Sequence, residues 1–148
     1  MSLRQKIFDR LINIYPPYLG AGIKVSRIAP DHRSCRVEMG LSFYNRNYVG
    51  TQFGGSLYSM VDPWYMLMLM KNLGKGYIVW DKAATIRFKK PGKGKVVADF
   101  VINETDINDI LDTLKTAPKM DKVFTVIIKD MEGNTVAEVD KTIYIKKK

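Results

Sequence analysis

One short stretch of this chain gathers residues that can do chemistry together. The turn Phe53-Gly54-Gly55 opens an apolar run of helical character, and a glycine turn at a helix start aims bare backbone N–H groups at a common point. Such donors stabilise a developing oxyanion. Asp62 follows about two helical turns along the run, where a carboxylate can activate water as a general base or attack a carbonyl as a nucleophile. Asn47 opens the segment Asn47-Tyr48-Val49-Gly50-Thr51-Gln52-Phe53-Gly54-Gly55 and supplies an orientable amide, with Asn45 as a second amide nearby. A polariser, a carboxylate and a positioning amide make a hydrolytic site without Ser, Cys or metal.

Each residue also has a structural reading. An unpaired carboxylate in an apolar helix costs several kcal/mol or takes up a proton, which argues for a use for Asp62. Asp62-Pro63 is equally a good N-cap and first helical position for a helix starting there. If the helix instead begins near Gly55, Pro63 lies inside it, removes the bond to the Ser59 carbonyl and costs ~3 kcal/mol, so a kink is expected beside Asp62. Gly54-Gly55 can serve a positive-φ turn or close packing, and Asn47 an Asx turn. Tyr58 and Ser59 lie on the same helix as candidate pocket residues. Met60, Met66, Met68, Met70, Trp64 and Tyr65 can line an acyl tunnel, but core packing accounts for most of them better.

The surrounding elements follow from periodicity. Leu3, Ile7, Phe8, Leu11 and Ile12 recur at helical spacing, with Ser2 as a cap, and this helix ends before Pro16-Pro17. Ile23 to Ile28 and the alternating run Cys35, Val37, Met39, Leu41 form a hairpin through Ala29-Pro30-Asp31-His32. From Ser56 to Leu73 the chain is apolar nearly all round, which places a helix in the middle of a core, and Gly74 stops it. Strands are expected over 77–89, 95–103, 122–129 and 135–145, the last two joined by Glu132-Gly133-Asn134. Between them, residues 105–117 form a helix capped by Thr105, with Ile107, Ile110, Leu111 and Leu114 on one face. The order of elements implies an α+β fold in which a curved antiparallel sheet wraps a central helix.

Composition bounds the rest. The 148 residues, 46% hydrophobic, make one domain, 1–148, able to bury roughly two-thirds of its unfolded surface. Asp9 and Arg10 break the apolar positions that a signal peptide needs. The longest apolar run, Trp64 to Met70, is far short of the ~20 residues that span a bilayer. A single cysteine, Cys35, rules out an internal disulfide framework, and a cytoplasmic protein is expected. His32 and Cys35 have no sequence partners that suggest a triad, and no spacing suggests zinc. The net charge of +9 favours anionic partners or simply a soluble lysine-rich surface. Arg87, Lys89, Lys90, Lys93 and Lys95 cluster around Pro91-Gly92, as a phosphate site or a solvated hairpin tip. Motifs of nucleic-acid binding are missing, so no nucleic-acid partner is expected.

The order and spacing of Asn47, Gly50-Thr51, Gly54-Gly55 and Asp62 resemble the hotdog-fold thioesterase superfamily. Its members often carry an Asn, a Gly-Thr pair, a His-Gly-Gly turn and an acid in the central helix. Phe53 stands where many have the His, and Pro63 follows the acid, which resembles a thioesterase-like branch with Phe-Gly-Gly and Asp-Pro. The resemblance implies an acyl-thioester hydrolase acting on acyl-CoA or an acyl-carrier substrate. Asp62 would be general base or nucleophile, the Gly54 N–H would polarise the carbonyl, and Asn47 would position the reactants. Gly55, Phe53, Tyr58, Ser59, Lys89 and Lys90 would contact substrate, the lysines at the coenzyme A phosphates. No cofactor is implied beyond the coenzyme A of the substrate. Sites of this superfamily usually form between subunits, so a homodimer or homotetramer is expected. The helix at 105–117 is an insertion relative to many members. The alternative is a non-catalytic acyl-CoA or fatty-acid binder, made credible by Phe53. A dehydratase would pair the acid with a His, and His32 is poorly placed for that.

Overall fold

The computed structural model describes residues 3–148, with the expected cap Ser2 outside the described residues. Helix α1 (Leu3–Leu11) and a 3-10 turn (Ile12–Ile14) lead into α2 (Pro16–Ala21), which the sequence reading did not anticipate. The first helical stretch does end before Pro16 and Pro17, at Ile14, and those prolines start α2. They occupy its first positions, where a missing N–H costs nothing, and Gly22 closes it at φ 75°.

Strands β1 (Ile23–Ile28), β2 (Ser34–Met39), β3 (Tyr77–Phe88), β4 (Val96–Val101), β5 (Lys119–Asp130) and β6 (Thr135–Lys147) form one antiparallel sheet in the order β1-β2-β4-β5-β6-β3. The molecule is therefore mixed α and β with a six-stranded antiparallel sheet. Alternation in the strands holds one face inward: Cys35, Val37 and Met39 of β2, Val96, Ala98 and Phe100 of β4, and Val139, Ile143 and Ile145 of β6 are all buried. Gly133, at φ 87°, forms the β5–β6 hairpin, where Asp130 accepts bonds from the Glu132 and Asn134 N–H groups.

The single apolar helix expected from Ser56 to Leu73 is two helices, α3 (Gly54–Ser59) and α4 (Trp64–Leu73), parted by Met60 to Pro63. Pro63 thus breaks the helix where a kink was expected, because it denies the Ser59 carbonyl its N–H partner. Val61 N–H turns back instead to the Tyr58 carbonyl three residues earlier. Met60, Val61, Trp64, Tyr65, Met68 and Leu69 are buried in the core, so this segment is mainly packing. Met66 is half-buried against that core and Met70 is exposed.

The helix at 105–117 is α5 (Glu104–Thr116). Its cap is Asn103 rather than Thr105: Asn103 and Asp106 form a reciprocal capping box, the Asn103 N–H donating to Asp106 Oδ2 at 3.0 Å. The β4–β5 ladder stops after Ala98–Ile128, and α5 sends Ile107, Ile110 and Leu114 into the core beyond that point. Lys122 of β5 holds it through Asp106 at 3.3 Å.

Candidate active site

The loop before α3 is built around Asn47. Its Oδ1 accepts the Val49 and Thr51 N–H groups at 3.1 and 2.9 Å, and its Nδ2 donates to Thr51 Oγ1 and the Gln52 carbonyl at 2.9 and 3.3 Å. All four hydrogen-bonding positions of the amide serve the loop, and Gly50 completes the turn at φ 81°. Asn47 therefore shapes the segment that carries Gly54. Asn45 does the same work one step back, donating to the Ala21 and Gly40 carbonyls at 3.0 and 2.8 Å. Gln52 is 3% exposed and was missed in the sequence reading. Its Nε2 donates to the Gly94, Gly40 and Met39 carbonyls, which ties this loop to the β3–β4 turn.

Gly54 opens α3 with ordinary negative φ, so neither Gly54 nor Gly55 is there for a left-handed turn. Close approach is the reason. A Cβ on Gly54 would lie 3.1 Å from Phe88 Cζ, and one on Gly55 only 2.8 Å from Phe53 Cε1. Phe53 lays its ring over Gly55 where a histidine would present a polar edge. Ser56 and Leu57 N–H both return to the Phe53 carbonyl at 3.0 Å, which leaves the Gly54 N–H outside the helix ladder. Asn47, Gly54, Lys89 and Lys90 come together around a cavity of about 360 Å³ that also touches Gln52, Phe88 and Gly92. Ser59 lies apart from it, its hydroxyl donating to the Gly55 carbonyl at 2.9 Å.

Of the basic cluster around this cavity, Arg87 is tied to Glu138 and Asp140 at 3.3 and 2.7 Å, and Lys95 is paired with Glu38. Lys89, Lys90 and Lys93 have no ion pair among the described residues.

Asp62 belongs to a second constellation. It does not cap α4, whose N-terminal flank is Pro63 with no side-chain bond to the backbone. Its Oδ1 instead accepts the Tyr58 hydroxyl at 2.9 Å and Lys141 Nζ at 3.1 Å. Lys141 also donates to Tyr58 Oη at 3.1 Å and stands 2.9 Å from Asp81 Oδ1. Lys141 is 0% exposed, Asp81 22% and Asp62 49%. One buried cation thus holds two carboxylates, one enclosed and one facing solvent. Oδ2 of Asp62 has no hydrogen bond among the described residues, so this oxygen is presented outward.

Neither Lys141 nor Asp81 was found in the sequence reading. Lys141 is in phase with Val139, Ile143 and Ile145, which fill the inward face of β6. Asp81 stands opposite Ile143 and so shares that face, beside a register shift between Asp81 and Ala83. Burial pulls the Lys141 pKa down, but Tyr58, Asp81 and Asp62 push it up further, so the ammonium is charged at neutral pH. Burial raises the Asp81 carboxyl above its ordinary range against the pull of Lys141. Burial also raises Tyr58, against Lys141, so its hydroxyl remains a donor.

Gly54 opens α3, whereas Asp62 lies in the break after it and is not among the residues around the Gly54 cavity. Among the described residues, no three His, Cys, Asp or Glu side chains group as a metal set, and no helix is long and apolar enough to cross a membrane.

No curated protein matches the chain by sequence. Solved structures do. A Pseudomonas aeruginosa protein of unknown function, described as a probable thioesterase, superposes with TM-score 0.83 at 18% identity over 100% of this chain and 99% of its own. A Haemophilus influenzae thioesterase gives 0.70 at 15% identity over 99% and 92% of the two chains. A Staphylococcus aureus thioesterase, solved as a mutant, gives 0.62 at 14% over 87% and 97%. At these identities the likeness establishes the common fold. Residues 4–145 match a family model as well, and the chain belongs to that family, described as a domain of unknown function, DUF4442.

Proposed function

We propose that this protein is a hotdog-fold acyl-thioester hydrolase acting on an acyl-CoA. The observation that carries the reading is the Asp62 carboxylate, held through Oδ1 by Lys141 and Tyr58 with Oδ2 turned to solvent. That is how a general base or nucleophile is held: one oxygen fixes the orientation and the other reaches the reactant. The thioesterases among the structural neighbours support the same reading.

In the general-base route, Asp62 takes a proton from water as its oxygen bonds to the thioester carbon. The tetrahedral oxyanion is met by the Gly54 N–H, the C–S bond breaks, and the thiolate takes up a proton as the carboxylic acid departs. In the nucleophilic route, Asp62 itself attacks, thiolate leaves, and water hydrolyses the mixed anhydride. Because α3 has only six residues, polarisation rests on the local N–H rather than on a long helix dipole. Lys89 and Lys90 hold the coenzyme A phosphates beside the cavity, and Asn47 acts through the loop it shapes.

Sites of the superfamily this chain resembles form between subunits, and a second copy would complete this one. Strand β3 is an edge of the sheet, 12 residues long, with Trp80 and Phe88 exposed. A long apolar edge is a template for pairing, and a homodimer through β3 would carry Asp81 and the Asp62 constellation to the interface. A tetramer would build on that dimer.

Phe53 favours one other reading, a binder of acyl-CoA or fatty acid without turnover, since it offers no hydrogen bond over Gly55. Thiol release from a panel of acyl-CoAs separates the two. Hydrolysis by the native protein supports the enzyme, and ligand-dependent stabilisation without release supports the binder.

A further inference from the structure

Strand β3 ends at Phe88, beside the Gly54 cavity, and its first residues lie at the other end of the sheet. That end gathers lysines from separate parts of the chain. Register sets Lys119 of β5 directly opposite Lys146 of β6, and Lys146 opposite Ile78 of β3. Lys147 stands opposite Tyr77, and the Lys148 N–H donates to the Gly76 carbonyl at 3.0 Å, one residue from Lys75. All five lysines are exposed, and none takes part in an ion pair among the described residues. Like charges directly opposite one another in an antiparallel sheet are destabilising. Lys119 and Lys146 keep that arrangement with no carboxylate paired to either, and an anion from outside the chain would relieve it.

The next row on the same face is aromatic. Alternation puts Trp80, Tyr144 and Asp121 beyond Ile78, Lys146 and Lys119. Trp80 is 50% exposed and stacks on Tyr144, with ring centroids 4.6 Å apart and 13° between the planes. Asp121, the one carboxylate of the row, is tied to Lys82 at 2.5 Å. Val123, one row further and opposite Thr142, is also exposed.

We propose that this end of the sheet docks on an anionic lipid bilayer, the lysines meeting headgroup phosphates and Trp80 resting at headgroup depth. The net charge of +9 draws the protein to such a surface, and the patch sets which face arrives. Three observations favour a bilayer over a nucleic-acid strand. The cations are all lysine, point charges suited to a diffuse field, whereas guanidinium forks read single phosphates. Stacking of Trp80 on Tyr144 uses one face of each ring, which takes away faces on which bases would stack. Trp and Tyr next to apolar side chains match the composition of a water–bilayer interface. The contact is peripheral, since among the described residues no helix is long and apolar enough to cross a membrane. Edge pairing through β3 would use its backbone groups and leave this face open. The inference does not rest on the hydrolase reading.

Sedimentation with phosphatidylcholine vesicles, with and without phosphatidylglycerol, measures the partition. The native protein should bind only vesicles that contain phosphatidylglycerol and should leave them as salt rises. Each lysine at an anionic surface contributes about fivefold. Lys119→Gln with Lys146→Gln changes exposed positions, so circular dichroism should stay native while the partition falls about thirtyfold. Lys24→Gln with Arg27→Gln removes the same charge from exposed positions of β1, at the other edge of the sheet, and should change it less than about threefold. Trp64 is buried, so a blue shift of tryptophan emission on binding reports Trp80, and Trp80→Phe should remove it. Equal losses in the two double variants would reduce the effect to net charge, and binding without a blue shift would take Trp80 out of the contact. Either result, or no binding at any salt, would overturn the proposal. Binding of a single-stranded oligonucleotide but not of vesicles, lost with Lys119 and Lys146, would make this a nucleic-acid surface and overturn it as well.

Discussion

Replacing Lys141 by methionine keeps the volume and removes the charge, so it asks what the buried cation supports. Breaking a buried ion pair from one side costs about 3–5 kcal/mol, because the partner is left uncompensated. Here the two partners differ. Asp62 is half exposed and is rehydrated, so it adds little. Asp81 is 22% exposed and is the carboxylate left stranded. Protonation of Asp81 caps the loss, and about 2–4 kcal/mol is expected at neutral pH. For a chain of this size that lowers the melting temperature by about 6–12 °C.

The pH dependence carries the sharper content. Burial already raises Asp81, and Lys141 is what opposes it. Without Lys141 the folded-state pKa rises further. A carboxyl raised in the folded state contributes its stability below the unfolded value near 3.8 and loses it as pH climbs through the folded value. The deficit of Lys141→Met relative to native should therefore be small near that value and grow toward neutral pH. Urea unfolding of both proteins from about pH 4 to pH 8 measures it. Adding Asp81→Asn to Lys141→Met should recover part of the loss, a coupling of about 0.5–3 kcal/mol. A neutral-pH deficit below about 1 kcal/mol, or one that does not change with pH, would refute the argument.

Other outcomes follow from the same geometry. Asn47→Ala removes four hydrogen bonds from the loop and should cost about 1–3 kcal/mol and speed proteolysis between residues 45 and 53, measured by urea unfolding and timed digestion. Gly55→Ala places a Cβ 2.8 Å from the Phe53 ring, but Phe53 is exposed and can swing away, so unfolding should show less than about 1 kcal/mol lost. Lys89→Ala with Lys90→Ala should raise KM for acyl-CoA, more at low than at high salt, and leave KM for acyl-pantetheine thioesters unchanged.

Much of the fold was legible because its strands alternate cleanly and its turns use residues with a mechanism. Ile23–Ile28 was read to the residue, and Gly74 and Gly133 mark their turns with positive φ. Errors arose where one residue type serves two uses. Pro16-Pro17 follow the end of one helical stretch, as expected, and also begin the next, a second use that was passed over. Asn103 rather than Thr105 caps α5 because Asp106 completes the reciprocal bond. Asp62-Pro63 has the composition of a cap, yet Asp62 turns to Lys141, a partner 79 positions away that no local pattern indicates. Lys141 itself was legible in principle, since it keeps the phase of Val139, Ile143 and Ile145, but a charged residue on an inward strand face is easily passed over. Asp81 becomes meaningful only once β3 is laid beside β6.

The central claim is that Asp62 does chemistry, and the direct test is thiol release from acyl-CoA by native protein and Asp62→Asn under single-turnover conditions. Asparagine keeps an oxygen for Tyr58 and Lys141, so circular dichroism should be unchanged. The account predicts release by the native protein and a loss of at least a hundredfold in the variant. Equal rates in the two would contradict it and place the chemistry elsewhere.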